Sequence, residues 1–354
     1  MRPRIIDIAK EANVSPSAVS LALNNKSGIS TEVRKRIISI AANLGYKGIT
    51  ADQFGTNKNI TIKLLKIAKH GHIVNDRHNA FITEYIEGIE AGIQKWQYKL
   101  EVSFFNKVPI QEIIASQKGI AADGLIVLGT ELNAHELTFF TELKLPIVFI
   151  DTYFPLSVYD CIDMDNVDGV FKAIQYLYTN GHRSIGLVKS SYDTRNFRMR
   201  EYGFREAMEY FSLPVQEKQI FSVDPTFDGA MSDMGKHLDK SGPLPSAFFC
   251  MNDIIAYGCI RALRNQGIRI PEEVSVIGFD DLPSSSLSEP PLTTIRVSTQ
   301  RIGFRALEKL SERIIGHSEE APGTPAESYQ GRGSPPENIL ISGRLIVRDS
   351  VRSL

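Results

Sequence analysis

Only three cysteines, Cys161, Cys250 and Cys259, and a single tryptophan occur among the 354 residues of this chain. So few thiols at these separations form neither a disulfide framework nor a metal-ligand spacing. They fit a reducing compartment, and a cytoplasmic protein is expected. No run approaches the roughly twenty apolar residues that a membrane helix needs. The N-terminus has charge but no apolar stretch with a cleavage site, so no secretory signal is expected. A nucleophile elbow, a phosphate-cradling glycine loop and a zinc-binding helix are all missing, which argues against an enzyme; no cofactor is expected. Net charge is nearly absent as well, at −1, but it is unevenly spread: residues 1–60 hold nine Lys and Arg against four acidic residues. A basic head on an acidic body is what results when only the head meets phosphate.

Within that head, Ile8, Ala9 and Ala12 give one apolar face to a short helix, and Asn13 stands where the chain must turn sharply. Such a turn needs a left-handed backbone, which Gly or Asn supplies most cheaply. Ser15 is placed to cap a second helix, with Pro16 at its first position. Val19, Ala22 and Leu23 share the inner face of that helix by i, i+3, i+4 spacing. A third helix is predicted from Thr31, a candidate cap, to Leu44, with Val33, Ile37, Ile40, Ala41 and Leu44 inward. An ordinary helical hairpin would show the same local pattern; the charge asymmetry favours a helix-turn-helix whose second helix enters a major groove. The candidate DNA contacts are Ser15, Pro16, Ser17, Ala18, Ser20, Leu21 and Asn24.

After Tyr46 the texture changes. Residues 1–46 read as the DNA-binding head, 47–59 as a hinge rich in Gly, Thr, Asn and Lys, and 60–354 as the body. In the body, short apolar runs at 60–67, 100–105, 124–128, 147–150, 184–188, 247–250 and 274–278 alternate with helical patterns such as 80–96, 168–180, 200–211 and 254–266. That alternation predicts an α/β fold of doubly wound parallel sheets. The Gly-, Pro-, Ser- and Glu-rich segment 316–338 reads as a loop before two last strands, 339–342 and 344–348.

These residues carry a resemblance to the LacI/GalR family of bacterial transcription regulators, and it runs nearly end to end. It rests on Asp7-Ile8-Ala9, Val14-Ser15, Val19-Ser20 and Leu23-Asn24 in the head, then on Gly88-Ile89-Glu90, Asp165-Asn166 with Gly169, Gly181-His182, and Arg200 before Gly203-Phe204. The most specific block is Asn252-Asp253, the run from Pro271 to Asp281, and Pro291-Leu292-Thr293-Thr294-Ile295; the ending Leu345-Ile346-Val347-Arg348-Asp349-Ser350 also resembles the family's. The resemblance implies a periplasmic-binding-protein-like body of two lobes, about 60–160 with 292–320 and about 161–291 with 321–350. The chain would cross between them near Cys161, near Pro291 and in the late loop. It further implies a sequence-specific, allosteric regulator, a homodimeric repressor on a roughly palindromic double-stranded operator. Its DNA affinity would follow a small cleft ligand, a carbohydrate by preference. A solute-binding protein of the same body fold, or a purine-type corepressor-dependent regulator, are the alternatives.

Carried over residue by residue, the resemblance implies ligand contacts from Arg200, Asp280, Asn252 and Asp151, with Phe279 as an apolar neighbour. It places the loop containing His70, His72, His78 and Phe81 at the cleft rim, where His72, His78 and Phe81 are ligand candidates. Three histidines this close tempt a metal reading, but no cysteine or paired carboxylate completes a site, and no metal is expected. Departures are visible too. Leu21 occupies a position where many relatives carry a base-contacting arginine. The hinge has Gly48-Ile49-Thr50 in place of the usual Pro-Asn step, and Phe54 takes the place of a leucine that wedges into the minor groove.

Overall fold

A computed structural model describes residues 4–24, 26–44, 46, 60–75, 78–240, 242–318 and 335–354. The head begins with α1 (Ile5–Glu11) and α2 (Pro16–Leu23), and α3 (Thr31–Asn43) closes it. Asn13 takes the left-handed backbone at φ 52° that the turn requires, and the Ser15 hydroxyl caps α2 by accepting from Ala18 N at 3.1 Å. Ile8, Ala9, Ala12, Val19, Ala22, Leu23, Ile37 and Ala41 form a separate small core. One expectation for α3 changes: Leu44, one residue past the helix end, is exposed rather than inward. Ser30 accepts from Val33 N (3.3 Å) in the first turn; the side chain of Thr31, the expected cap, lies outside the described residues. Phe54 and the rest of 47–59 lie outside the described residues.

The body opens with β1 (Thr61–Ala68), α4 (Asn79–Trp96), β2 (Lys99–Asn106), α5 (Ile110–Gln117), β3 (Gly124–Leu128), α6 (Ala134–Leu137), β4 (Ile147–Ile150) and β5 (Asp160–Met164). A second unit runs through α7 (Asn166–Thr179), β6 (Ile185–Ser190), α8 (Arg195–Tyr210), β7 (Ile220–Val223), α9 (Phe227–Leu238), β8 (Ala247–Cys250), α10 (Asp253–Asn265) and β9 (Ser275–Ile277). The chain ends with β10 (Thr294–Arg296), α11 (Thr299–Ser318), β11 (Asn338–Ile341) and β12 (Arg344–Ile346). One sheet has the order β11-β5-β4-β3-β1-β2 and the other β7-β6-β8-β9, every pair parallel, with β10 and β12 as an antiparallel ribbon.

Strands β3, β4 and β8 are apolar throughout because both faces of a parallel sheet are covered. In the first sheet Ile62, Leu64, Ile126 and Leu128 enter one core, and Leu65, Ile67, Leu125 and Val127 enter the other. Helices α4 and α11 cover the first of these faces. They cross closely because each presents a glycine: a Cβ on Gly88 would lie 2.0 Å from the Gln300 carbonyl, and one on Gly303 2.1 Å from that of Tyr85.

The boundaries expected between lobes shift. Strand β5 pairs with β4, and β11 pairs with β5, in the first sheet. The first crossing therefore follows Met164 rather than Cys161, and residues 338–341 belong with the first lobe rather than the second. Asp160 in β5 is held by Arg313 of α11 at 2.6 and 2.8 Å, which fixes this strand from within the first unit. Among the described residues, no helix is long and apolar enough to cross a membrane.

Candidate DNA-binding head and effector cleft

All seven candidate DNA contacts of the described head lie on or beside α2. Pro16, Ser17 and Asn24 are exposed, and Ala18, Ser20 and Leu21 are half-buried. Ser15 is committed to its cap, and the Asn24 amide donates to the Ser20 carbonyl at 2.8 Å. Two of the basic residues that made the head look phosphate-seeking serve its architecture. Arg34 donates to the carbonyls of Leu21 (3.0 Å) and Ala22 (3.3 Å) at the end of α2, and Arg36 donates to that of Ala12 (2.9 Å) at the end of α1. Positive groups at helix C-termini complement the exposed carbonyls.

The cleft is built from strand exits. Asp151 follows β4 and Asp280 follows β9, one from each lobe, and both hold left-handed backbones, φ 60° and 121°. Non-glycine residues held there are strained, which is common where a side chain must be aimed. The two carboxylates line a cavity of about 40 Å³ together with Thr130, His78, Arg200 and Asn252.

Arg200, on α8, is the hub. Nε donates to Asn166 Oδ1 (2.8 Å), Nη1 to the Met251 carbonyl (2.6 Å) and Nη2 to Met164 Sδ (3.0 Å). Nη2 also stands 3.3 Å from Asp280 Oδ1. Asp151 accepts from Tyr85 Oη (3.0 Å), from the Thr130 hydroxyl, and across the cleft from Asn196 Nδ2 (3.0 Å). Burial pushes the Asp280 carboxyl up to about 8, against the pull of Arg200 and with the help of Asp253 and Asp151. Burial likewise raises Asp151, opposed by its hydrogen bonds from Thr130 and Tyr85.

His78 is neutral for a geometric reason. Asn252 Oδ1 caps α10 by accepting from Ile255 N (2.8 Å), which turns its Nδ2 toward His78 Nε2 at 3.5 Å. Nε2 must then accept, leaving Nδ1 to donate to Asn75 Oδ1 at 3.3 Å. Burial, followed by the Arg200 charge, lowers this imidazole to about 4.

Of the eight proposed ligand contacts, the structure brings six to the cavity wall: Asp151, Arg200, Asn252, Asp280, His78 and Phe81. Two stand elsewhere. Phe279 is fully buried behind the site, its ring centroid 3.8 Å from the Arg200 guanidinium carbon and its edge against Gly169. His72 sits outside the cavity wall, stacked on Tyr192 at 4.0 Å with Nδ1 3.3 Å from Asp224. Sequence reasoning missed Thr130 and Asn196, which lack any motif of their own. It also missed Glu131, whose buried carboxylate accepts from the backbone N–H groups of His70 (2.9 Å), Gly71 (3.2 Å), Ile73 (3.0 Å) and Val74 (2.8 Å). Burial acts to raise Glu131, but these N–H groups and His70 outweigh it and the carboxyl is lowered. A loop wrapped on one carboxylate leaves a sequence signal only in the lone glutamate.

Known proteins share this combination of parts. The periplasmic binding protein-like domain matches residues 174–351, and the lacI family of bacterial regulatory proteins matches 4–48. The chain belongs to the LacI family. It is a DNA-binding transcriptional regulator with an α/β periplasmic-binding-protein-like body. The transcriptional repressor PurR of Haemophilus influenzae (strain PittEE) is 29% identical over 99% of both chains. The transcriptional regulator DegA of Bacillus subtilis (strain 168) is 27% identical over 100% of this chain and 99% of its own. The fold is shared with the CelR–cellobiose complex, with 22% identity and a TM-score of 0.70 over 99% of this chain and 100% of that one. A lac repressor dimer bound to operator and the anti-inducer ONPF gives 20% and 0.68 over the same shares.

Proposed function

We propose that this LacI-family regulator is a repressor that binds a two-fold operator as a homodimer, and that a small polar ligand, a carbohydrate by preference, controls it from the cleft. The observation that carries this reading is the pair of strained aspartates, Asp151 and Asp280, facing one cavity from opposite lobes. Acceptors and donors fixed on two bodies, beside the rings of Phe81 and Phe197, are what a polyol needs: directional hydrogen bonds and an apolar face. The exposed apolar side chains of the edge strand β2, Val102 and Phe104, offer a surface for pairing.

The mechanism follows from the size of the cavity. At about 40 Å³ it is far below the roughly 300–1,000 Å³ of small-molecule sites, so a ligand enters by parting the lobes. Entry breaks the Asn196–Asp151 and Asn252–His78 contacts and replaces them with its own. The ligand thereby changes lobe geometry by its differential affinity for open and closed states.

The test begins with selection of duplexes from a random pool by the full chain, which should enrich a two-fold symmetric sequence. Affinity for that duplex is then measured by fluorescence anisotropy against sugars, sugar phosphates and purines. One class should change it by roughly 5–150-fold, and Arg200→Ala should abolish the change. A purine acting as corepressor is the second reading that the family resemblance admits; a purine that tightens operator binding would select it. Failure to enrich any sequence would overturn both.

A further inference from the structure

Charge in the cleft narrows the ligand class further. Its wall carries two carboxylates, Asp151 and Asp280, and one cation, Arg200. Asp253 and Asp163, both fully buried, lie close enough behind that Asp253 raises the pKa of Asp280 and Asp163 is itself raised by Asp151. Arg200 is already partly committed: Nε, Nη1 and Nη2 donate to Asn166, Met251 and Met164 respectively, and its charge stands 3.3 Å from Asp280. The remaining imidazole, His78, contributes no charge, since its Nε2 faces the Asn252 amide as acceptor.

The carboxylates differ in what they still lack. Asp253 is satisfied by Ser285 Oγ (2.5 Å), Thr294 Oγ1 (2.6 Å) and Leu282 N (2.9 Å), and Asp151 by Tyr85, Thr130 and Asn196. Asp280 Oδ1 is buried and accepts no hydrogen bond, its approach to Arg200 being an ion-pair contact without hydrogen-bond geometry. The open polar atom on this cavity wall is therefore a carboxyl oxygen, at a place where carboxyl groups outnumber cations. A donor that brings positive charge holds these crowded carboxyls in their ionised form and pairs with them, where a hydroxyl does not.

We infer that the effector carries a protonated amine, as in an amino sugar or other aminated polyol, and that Asp280 receives it. This inference rests on the cleft reading above and sharpens it. Anionic ligands such as sugar phosphates are disfavoured by the same arrangement.

The experiment measures thermal unfolding of the full chain at fixed ionic strength and pH 7.5. The probes are glucosamine, galactosamine, mannosamine and glucamine, each beside its hydroxyl parent, with the N-acetyl derivatives of the three hexosamines and glucosamine 6-phosphate. An amine should stabilise at concentrations at least about tenfold lower than its hydroxyl or N-acetyl partner, a difference of about 1.4 kcal/mol. Asp280→Asn, checked for folding by circular dichroism and for operator binding, should erase the preference. Neutral sugars binding as well as amines, with a dependence on Arg200, would overturn the amine inference and leave the carbohydrate reading standing. Binding of purines alone, or no response to any amine, would overturn the inference; no response to sugars of any kind would remove the carbohydrate reading with it.

Discussion

Asp280 shows how a single residue ties the cleft to stability. Its carboxyl is pushed from an ordinary 3.8 up to about 8 by burial. Between those values the folded chain keeps a proton that the unfolded chain has lost. Its stabilising contribution is therefore complete below about pH 4 and lost as pH rises through about 8. His78 runs the other way: lowered from 6.5 to about 4, it favours folding above its unfolded value and loses that contribution as pH falls. Asp280→Asn removes the first titration only, so its melting temperature should gain on the wild type between pH 6.5 and pH 9. Parallel melting curves at the two pH values would contradict this. Much of the site was legible at this scale, because Asp151 and Asp280 end apolar strands and Asn252 precedes an amphipathic helix. Phe279 was misplaced because the chain leaves β9 after Ile277 and the left-handed backbone at Asp280 aims that side chain at the cavity, while Phe279 packs behind on Gly169 and Arg200.

At the level of elements, the loop from His70 to Val74 is organised by Glu131 more than by its own sequence. Four backbone N–H groups converge on that carboxylate, and two of the residues they order, Ile73 and Val74, line the cavity. Glu131→Ala leaves buried donors without acceptors, at about 1–3 kcal/mol for each that water cannot reach. The variant should lose about 3 kcal/mol in urea unfolding, and the amides of 70–74 should exchange faster than in the wild type. Unchanged protection of those amides would show that the loop is held by other means. Most strand patterns elsewhere were readable because apolar spacing reports burial locally. Strands β5, β7 and β10 were not: β7 and β10 are only four and three residues long, and Asp160 and Asp163 interrupt the apolar pattern of β5. What makes Asp160 tolerable there, the guanidinium of Arg313, comes from a distant helix. The crossing was set a few residues early for the same reason.

For the whole molecule, the strongest consequence is reciprocity. If the cleft state sets operator affinity, operator must bias the cleft state by the same free energy. Closure has a distinct set of reporters: His72 stacked on Tyr192, and Asn196 bonded to Asp151. They lie on loops of the body and, for Asn196, in the first turn of α8, on elements separate from the helices that carry the DNA contacts, and following them requires no knowledge of the effector. The division into head and body was legible from charge and periodicity alone. The closed arrangement of the lobes was not, because it depends on contacts between residues far apart in sequence. The most direct measurement is hydrogen exchange of the full chain with and without its selected operator duplex. Coupling predicts that operator changes the exchange of amides 70–75 and 192–197 as well as those of the head. Changes confined to residues 1–60 would contradict it, and would separate DNA binding from the cleft.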